Sequence, residues 1–367
     1  MTGSAAQPAA LALPVLDEAL ADRLRGRLGV VEEMLAGYCE GRTRYVSDAA
    51  RHLLAAGGKR FRPLLVLLAA EVGEDPDNDE VLKAACVVEL THVASLYHDD
   101  VMDEADLRRG ADTANARWDN LVAILTGDFL FGRSSEVTAD LGPEAVRIQA
   151  QTFTRLVEGQ ILETVQPEPG EDPLAHYLEV VAGKTGSLIA TSARYGAHFS
   201  GASEEVVRAL TSYGEIVGSA FQLSDDILDI ASESVESGKT PGTDLREGVP
   251  TLPVLMARAS TDPADARLLE LLDTDLTDDA LHAEALELLR AHPAMAEARA
   301  RLQRGSEYER LTRCCAASSI EVASVTAFTR AQRRLVSTSS ADITHSGFTR
   351  RNTEPGAMAN RAPRAPR

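Results

Sequence analysis

The stretch ELTHVASLYHDDVMDEADLRRG, residues 89–110, decides the fold. Its first half is an apolar run without proline in which Glu89, His92, Leu96, Asp99 and Asp103 advance by three and four residues, so they share one helical stripe. Asp99 and Asp103 then leave the same face one turn apart, and two like charges held that close need a cation. Arg108 and Arg109 follow within a turn and a half. An acidic pair beside an arginine pair is expected where divalent metal ions bridge carboxylates to a phosphate-bearing ligand. A solvated acidic helix face is the plainer alternative.

A second copy decides between them. FQLSDDILDI, residues 221–230, again sets two aspartates, Asp225 and Asp229, at i and i+4 behind an apolar stretch. Two carboxylate clusters on apolar helices facing each other across a bundle could hold several metal ions around one diphosphate, and bundle cores are where such sites are built.

The rest of the chain is written in the same helical idiom. Of its 367 residues 44% are apolar, enough for a sizeable core, while aromatics are only 4%. Alanine and leucine dominate, which favours helices because they lose little freedom there. Helical periodicity is predicted over residues 16–37, 47–56, 63–72, 80–104, 115–131, 145–165, 176–192 and 206–230, with another helix from Leu252. No segment alternates with period 2, so an all-α chain is expected. The segment GKTG, residues 183–186, should kink its helix and could turn Lys184 and Thr185 toward a ligand. Between two helices lies GGKRFRP, residues 57–63, where two glycines let the backbone bend close to a ligand and Lys59, Arg60 and Arg62 surround the bend. A helix C-cap with basic residues complementing the dipole would look the same.

Charge and cysteine use exclude several classes. A formal charge of -19 argues against a nucleic-acid binder and fits a cytoplasmic protein. Cys39, Cys86, Cys314 and Cys315 show no ligand spacing, so neither a disulfide framework nor a zinc site is expected. The chain opens without the pattern of a signal peptide, and its longest apolar run, near residues 64–70, is too short to span a bilayer. From Gly305 onward lysine vanishes, and ten arginines stand against five acids, net +5, which leaves -24 of the total -19 to residues 1–304. Either a basic disordered tail begins there, able to touch anionic lipid, or the reading frame shifts near codon 304. The change falls inside a helical pattern, which favours the frame shift, and residues 305–367 are expected to add no catalytic group.

Taken in order, GGKRFRP, LYHDDVMDEADLRRG, KTG, FQLSDDILD and GKTPGTD resemble the motifs of the trans-isoprenyl diphosphate synthases of the polyprenyl synthetase family, over about residues 15–304. The resemblance implies one helical bundle around a deep central cavity, of the isoprenoid synthase type, usually as a homodimer. It implies Mg²⁺-dependent head-to-tail condensation of isopentenyl diphosphate onto an allylic diphosphate, with loss of inorganic diphosphate. Asp99, Asp103 and Asp225 match the metal ligands, with Asp100, Asp226 and Asp229 in support. Arg108, Lys184 and Lys239 match positions that hold the allylic diphosphate, as do Thr185 and Gln222, whose dipoles face the carbocation. Lys59, Arg62, His92 and Arg109 match the isopentenyl diphosphate site. By analogy the released diphosphate takes the proton. Many relatives carry another lysine after GKTPGTD; here Arg246-Glu247-Gly248-Val249-Pro250 follows, so that contact is absent or supplied by Arg246.

Small residues, Ala94 and Ser95, lie one turn before Asp99, where short-chain relatives place a bulky floor. An all-trans product longer than the fifteen-carbon farnesyl chain is therefore expected, with a short-chain farnesyl or geranylgeranyl synthase as the alternative. A class I terpene cyclase would have no use for GGKRFRP, and a non-catalytic partner subunit should have lost metal ligands that this chain keeps.

Overall fold

The structure, a computed structural model, describes residues 18–232 and 241–305. Fifteen α-helices account for about three-quarters of them: α1 (Glu18–Tyr38), α2 (Arg44–Ala55), α3 (Phe61–Ala70), α4 (Asp79–Met102), α5 (Ala114–Arg117), α6 (Asn120–Asp140), α7 (Pro143–Glu163), α8 (Pro173–Val181), α9 (Ser187–Phe199), α10 (Glu204–Ala231), α11 (Thr243–Arg246), α12 (Leu252–Arg258), α13 (Ala266–Leu272), α14 (Asp279–Ala291) and α15 (Pro293–Gly305). The chain is the all-α bundle that its composition calls for.

Helix α4 is the axis. Between Val81 and Tyr97 it is buried on almost every side, as its all-round apolar sequence requires. Helices α1, α3, α6 and α9 pack on it, and α10 packs on α9. A second apolar cluster joins Ile227 and Ile230 of α10 to Leu252, Leu271, Leu289 and Met295 of the C-terminal helices.

Three local departures from the sequence reading have physical causes. The helix expected over residues 115–131 is two: α5 ends at Arg117, and Asp119 starts α6 by accepting from the Val122 amide at 2.8 Å. The kink expected at GKTG is a five-residue π segment, Ala182–Gly186, between α8 and α9. The two arginines after α4 are not helical at all. They belong to a small antiparallel hairpin of β1 (Leu107–Arg108) and β2 (Ala111–Asp112), whose two turn residues, Arg109 and Gly110, have φ of 55° and 76°. Left-handed φ at both central positions makes this a tight primed hairpin turn. Lys239 and the tail from residue 306 onward lie outside the described residues.

Candidate active site

The π segment is the hinge of the site. Gly183 meets Gly159 of α7, and Gly186 meets Gly218 of α10; a Cβ on Gly159 would fall 2.4 Å from the Lys184 amide nitrogen, and one on Gly218 would fall 2.6 Å from Gly186 Cα. Only glycine lets backbones come this near. The two residues between these contacts, Lys184 and Thr185, are thereby fixed between α7 and α10.

Lys184 faces the first aspartate cluster. Its Nζ donates to Glu163 Oε2 at 2.5 Å, and its charge, with that of Arg108, favours ionisation of Asp99. Burial nevertheless dominates, and with the charge of Asp103 it pushes the Asp99 carboxyl up to about 6. Asp103 caps the end of α4 and is exposed. Asp100, the next residue round the helix, is buried: its Oδ1 accepts from Arg108 Nε, while its Oδ2 has no hydrogen-bond partner among the described residues.

Thr185 faces the second cluster. Its Oγ1 donates to Gln222 Oε1 at 3.0 Å, and Gln222 Nε2 donates to Asp226 Oδ1 at 3.0 Å. Tyr177 of α8, which the sequence did not single out, donates its phenol hydrogen to Asp226 Oδ2. Asp225 is exposed on α10. Asp229 serves the backbone instead. Its two carboxylate oxygens accept from the amides of Thr243 and Asp244, at 3.3 and 3.2 Å, and so anchor the start of α11.

A third group gathers lower on α4, around His92, two turns before Asp99. Arg62, in the first turn of α3, is half-buried with its Nε enclosed and without a hydrogen-bond partner among the described residues. Burial lowers its guanidinium pKa to about 10, against the pull of Glu89. Arg109 of the hairpin donates to the carbonyls of Leu53 and Gly57. Burial and the charges of Arg62, Arg109, Arg108 and Arg60 hold His92 well below the usual imidazole range. Lys59 sits exposed on the loop beside them. An enclosed guanidinium with spare hydrogen-bonding capacity among like charges is an anion site in waiting.

Arg60 is not a ligand of that site, although it lies in the same motif. Its φ of 46° turns it inward, where it bonds Glu32 of α1, Glu89 Oε1 of α4 at 3.2 Å and the Leu54 carbonyl at 2.9 Å. A side chain on Gly58 would force these arginines to shift, since a Cβ there would lie 2.6 Å from Arg60 Nη1 and 2.8 Å from Arg109 Nη1. Arg246 likewise does not replace the missing lysine. It is spent on α14 and the turn before it, reaching the Thr277 carbonyl at 3.1 Å and Asp279 at 2.8 Å.

The donor set fits a hard divalent cation. Asp99, Asp103 and Asp225 offer carboxylate oxygens, and the Asp99 carboxyl, raised by burial and then by Asp103, would be ionised more readily beside a bound cation. Among the described residues no three His, Cys, Asp or Glu side chains gather tightly enough to hold a metal by themselves. Mg²⁺ is commonly held by one or two carboxylates together with substrate phosphates, which asks for no such cage.

The family model described as Polyprenyl synthetase matches residues 43–289. The nonaprenyl diphosphate synthase of Mycobacterium tuberculosis is 51% identical over 283 residues, 77% of this chain and 84% of that one. Component 2 of the heptaprenyl diphosphate synthase of Geobacillus stearothermophilus is 45% identical over 231 residues, 63% of this chain and 72% of its own length. Among solved structures, geranylgeranyl pyrophosphate synthase from Corynebacterium glutamicum, in complex with calcium and isoprenyl diphosphate, superposes with a TM-score of 0.76 at 41% identity, covering 90% of this chain and 99% of that one.

Proposed function

The chain belongs to the polyprenyl synthetase family, and on that premise we propose that it is an all-trans polyprenyl diphosphate synthase that condenses isopentenyl diphosphate onto an allylic diphosphate and releases diphosphate. The observation that carries this reading is that cations gather at two places. Lys184 and Arg108 act on Asp99, and Arg62 and Arg109, with Arg108 common to both, act on His92. A condensing enzyme has two diphosphates to hold, whereas a cyclase has one.

In the reaction the allylic C–O bond breaks, leaving a carbocation and diphosphate. The isopentenyl double bond attacks the cation, and the proton lost from the new chain goes to the departing diphosphate. Mg²⁺ held by Asp99, Asp103 and Asp225 would supply Lewis-acid neutralisation of the leaving group. Lys184, Arg108 and Lys239 hold the allylic diphosphate. Arg62, Arg109, His92 and Lys59 hold isopentenyl diphosphate. Thr185 and Gln222 present oxygen dipoles to the cation, where fixed dipoles in a dry site act most strongly.

A product longer than farnesyl diphosphate is supported by the nonaprenyl and heptaprenyl relatives. The synthase domain is residues 1–304 in this reading. A homodimer would bury the exposed apolar residues Leu121, Ile124 and Leu125 of α6 and Val157 and Ile161 of α7. Cytoplasmic location is supported by the acidic composition, and no described helix is long and apolar enough to cross a membrane. Membrane contact is then peripheral, at delivery of the product.

Labelled isopentenyl diphosphate, Mg²⁺ and allylic primers of several lengths, followed by chromatography of the products, test the proposal. Label moving into products longer than fifteen carbons supports it; label left in isopentenyl diphosphate with every primer would sink it.

A further inference from the structure

We infer that Tyr177 is a positioning residue for allylic ionisation, acting through Asp226 and Gln222 to fix which end of the Thr185 hydroxyl faces the cation. The inference rests on the synthase reading above.

It follows from counting hydrogens along one chain of bonds. Tyr177 Oη donates to Asp226 Oδ2, and Gln222 Nε2 donates to Asp226 Oδ1 at 3.0 Å. Both oxygens of Asp226 accept, one from Tyr177 and one from Gln222, so Asp226 commits the Gln222 amide group to pointing its NH₂ that way. The other end of the amide, Oε1, must then point at Thr185, whose Oγ1 donates to it at 3.0 Å. A threonine hydroxyl has one hydrogen. Once it is spent on Gln222, the oxygen has only lone pairs left to offer.

The polarity matters because of where Thr185 stands. It follows Lys184, which lies beside Asp99 and so beside the departing diphosphate. Lone pairs there stabilise an adjacent carbocation. Were the Gln222 amide reversed, its NH₂ would donate to Thr185 and the hydroxyl hydrogen would turn outward, toward the developing positive charge. A Gln amide is almost symmetric in shape, so packing alone does not choose between the two orientations. The choice is made by the carboxylate, and the carboxylate is held by Tyr177 and by the backbone of Leu252 at the start of α12. Tyr177 is thus three hydrogen bonds removed from Thr185 and on a different helix, yet through Asp226 it bears on the sign of the dipole there.

The consequence is confined to the charge-forming step. Loss of the Tyr177 hydroxyl should lower kcat about tenfold, the effect of about one hydrogen bond. The KM of both diphosphates should stay within about twofold, since neither diphosphate touches Tyr177.

Wild-type turnover is measured first with isopentenyl diphosphate and an allylic primer, then kcat and KM for Tyr177→Phe, Gln222→Leu and the double variant. The expected result is a kcat loss in Tyr177→Phe at unchanged KM, and a double variant no slower than Gln222→Leu alone, because the tyrosine acts only through the glutamine. Tyr177→Phe at wild-type kcat, or losses that multiply in the double variant, would overturn the inference. Absence of wild-type turnover would overturn the synthase reading and this inference with it. Should Tyr177→Phe fail to fold, Thr185→Ser and Thr185→Val decide: the serine is expected to keep wild-type kcat and the valine to lose it, and equal kcat in the two would overturn the inference.

Discussion

Lys184 and Thr185 are consecutive in the chain, yet they serve different aspartate clusters: the ammonium lies beside Asp99, and the hydroxyl joins the hydrogen-bonded set of Gln222 and Asp226. An α-helix already splays neighbouring side chains by about a quarter turn. Here the wider π segment sets where these two side chains leave the helix, and the glycine contacts on either side clamp it. Two clusters 126 residues apart, Asp99 and Asp225, are thus tied by one dipeptide.

The Glu163 carboxylate, 2.5 Å from Lys184 Nζ, competes with any incoming diphosphate for that ammonium. Both groups are about a third exposed, so the pair is worth no more than about 1 kcal/mol. Glu163→Gln is therefore expected to bind inorganic diphosphate about two- to fivefold more tightly in EDTA, by calorimetry. Unchanged or weaker binding would mean that Glu163 positions Lys184 rather than competing for it.

Asp99→Ala and Asp225→Ala are expected to lower kcat by about 10²–10³-fold or more, because charge stabilisation in the ionising transition state is lost. Asp229→Ala should behave differently. Its carboxylate caps α11, so the expected loss is about 1 kcal/mol of stability and a raised KM for the allylic diphosphate. Steady-state kinetics at saturating Mg²⁺ alongside thermal unfolding separates the two, and near-normal turnover in Asp99→Ala would count against the two-cluster site.

What could be read from the sequence was whatever repeats along one element. The stripe from His92 to Asp103 and the pair Asp225 and Asp229 lie on single helices, where spacing alone sets direction, and both helices are where the periodicity puts them. What could not be read depends on partners far away in the chain. Arg60 looked like a ligand among ligands, and only its left-handed backbone and Glu32, 28 residues earlier, turn it inward. Tyr177 lies 49 residues from Asp226 on another helix, with no motif to mark it. The hairpin strands are two residues each, too short for any alternation to show. The break before α6 was legible in principle, since Asp119 just ahead of an apolar run is a helix-start signal.

Of the two small residues before Asp99, Ser95 rather than Ala94 is expected to set product length. Ala94 has no exposed surface and packs in the core, with its carbonyl turned to Gly127 of α6, so it cannot border an open tunnel. Ser95 is half-buried and bonds the His92 carbonyl at 2.8 Å. Ser95→Phe is expected to shorten the main product by one or more isoprene units. Ala94→Phe is expected mainly to destabilise the fold, by about 1–3 kcal/mol, through overpacking. Chromatography of dephosphorylated products reads the first and thermal unfolding the second; an unchanged product in Ser95→Phe would move the floor deeper.

His92 should make the metal-free, ligand-free protein sensitive to acid. Burial, then the charges of Arg62, Arg109, Arg108 and Arg60, hold its imidazole well below the ordinary value, while in the unfolded chain it titrates near 6.5. A depressed folded value means that the unfolded chain binds the proton more readily. The stability that neutral His92 contributes is therefore present above about pH 6.5 and is lost as pH falls toward the folded value, at no more than about 1.4 kcal/mol per pH unit. Denaturant unfolding of wild type and His92→Gln between pH 7.5 and 5 isolates the effect, since other titrating groups are common to both. The wild type is expected to lose stability faster below pH 6.5, and parallel curves would show that His92 titrates normally. Bound diphosphate reverses the logic, because an anion among these arginines favours the charged imidazole. Saturating isopentenyl diphosphate should accordingly flatten the difference, and only if that anion occupies the Arg62 and Arg109 site rather than the one beside Asp99.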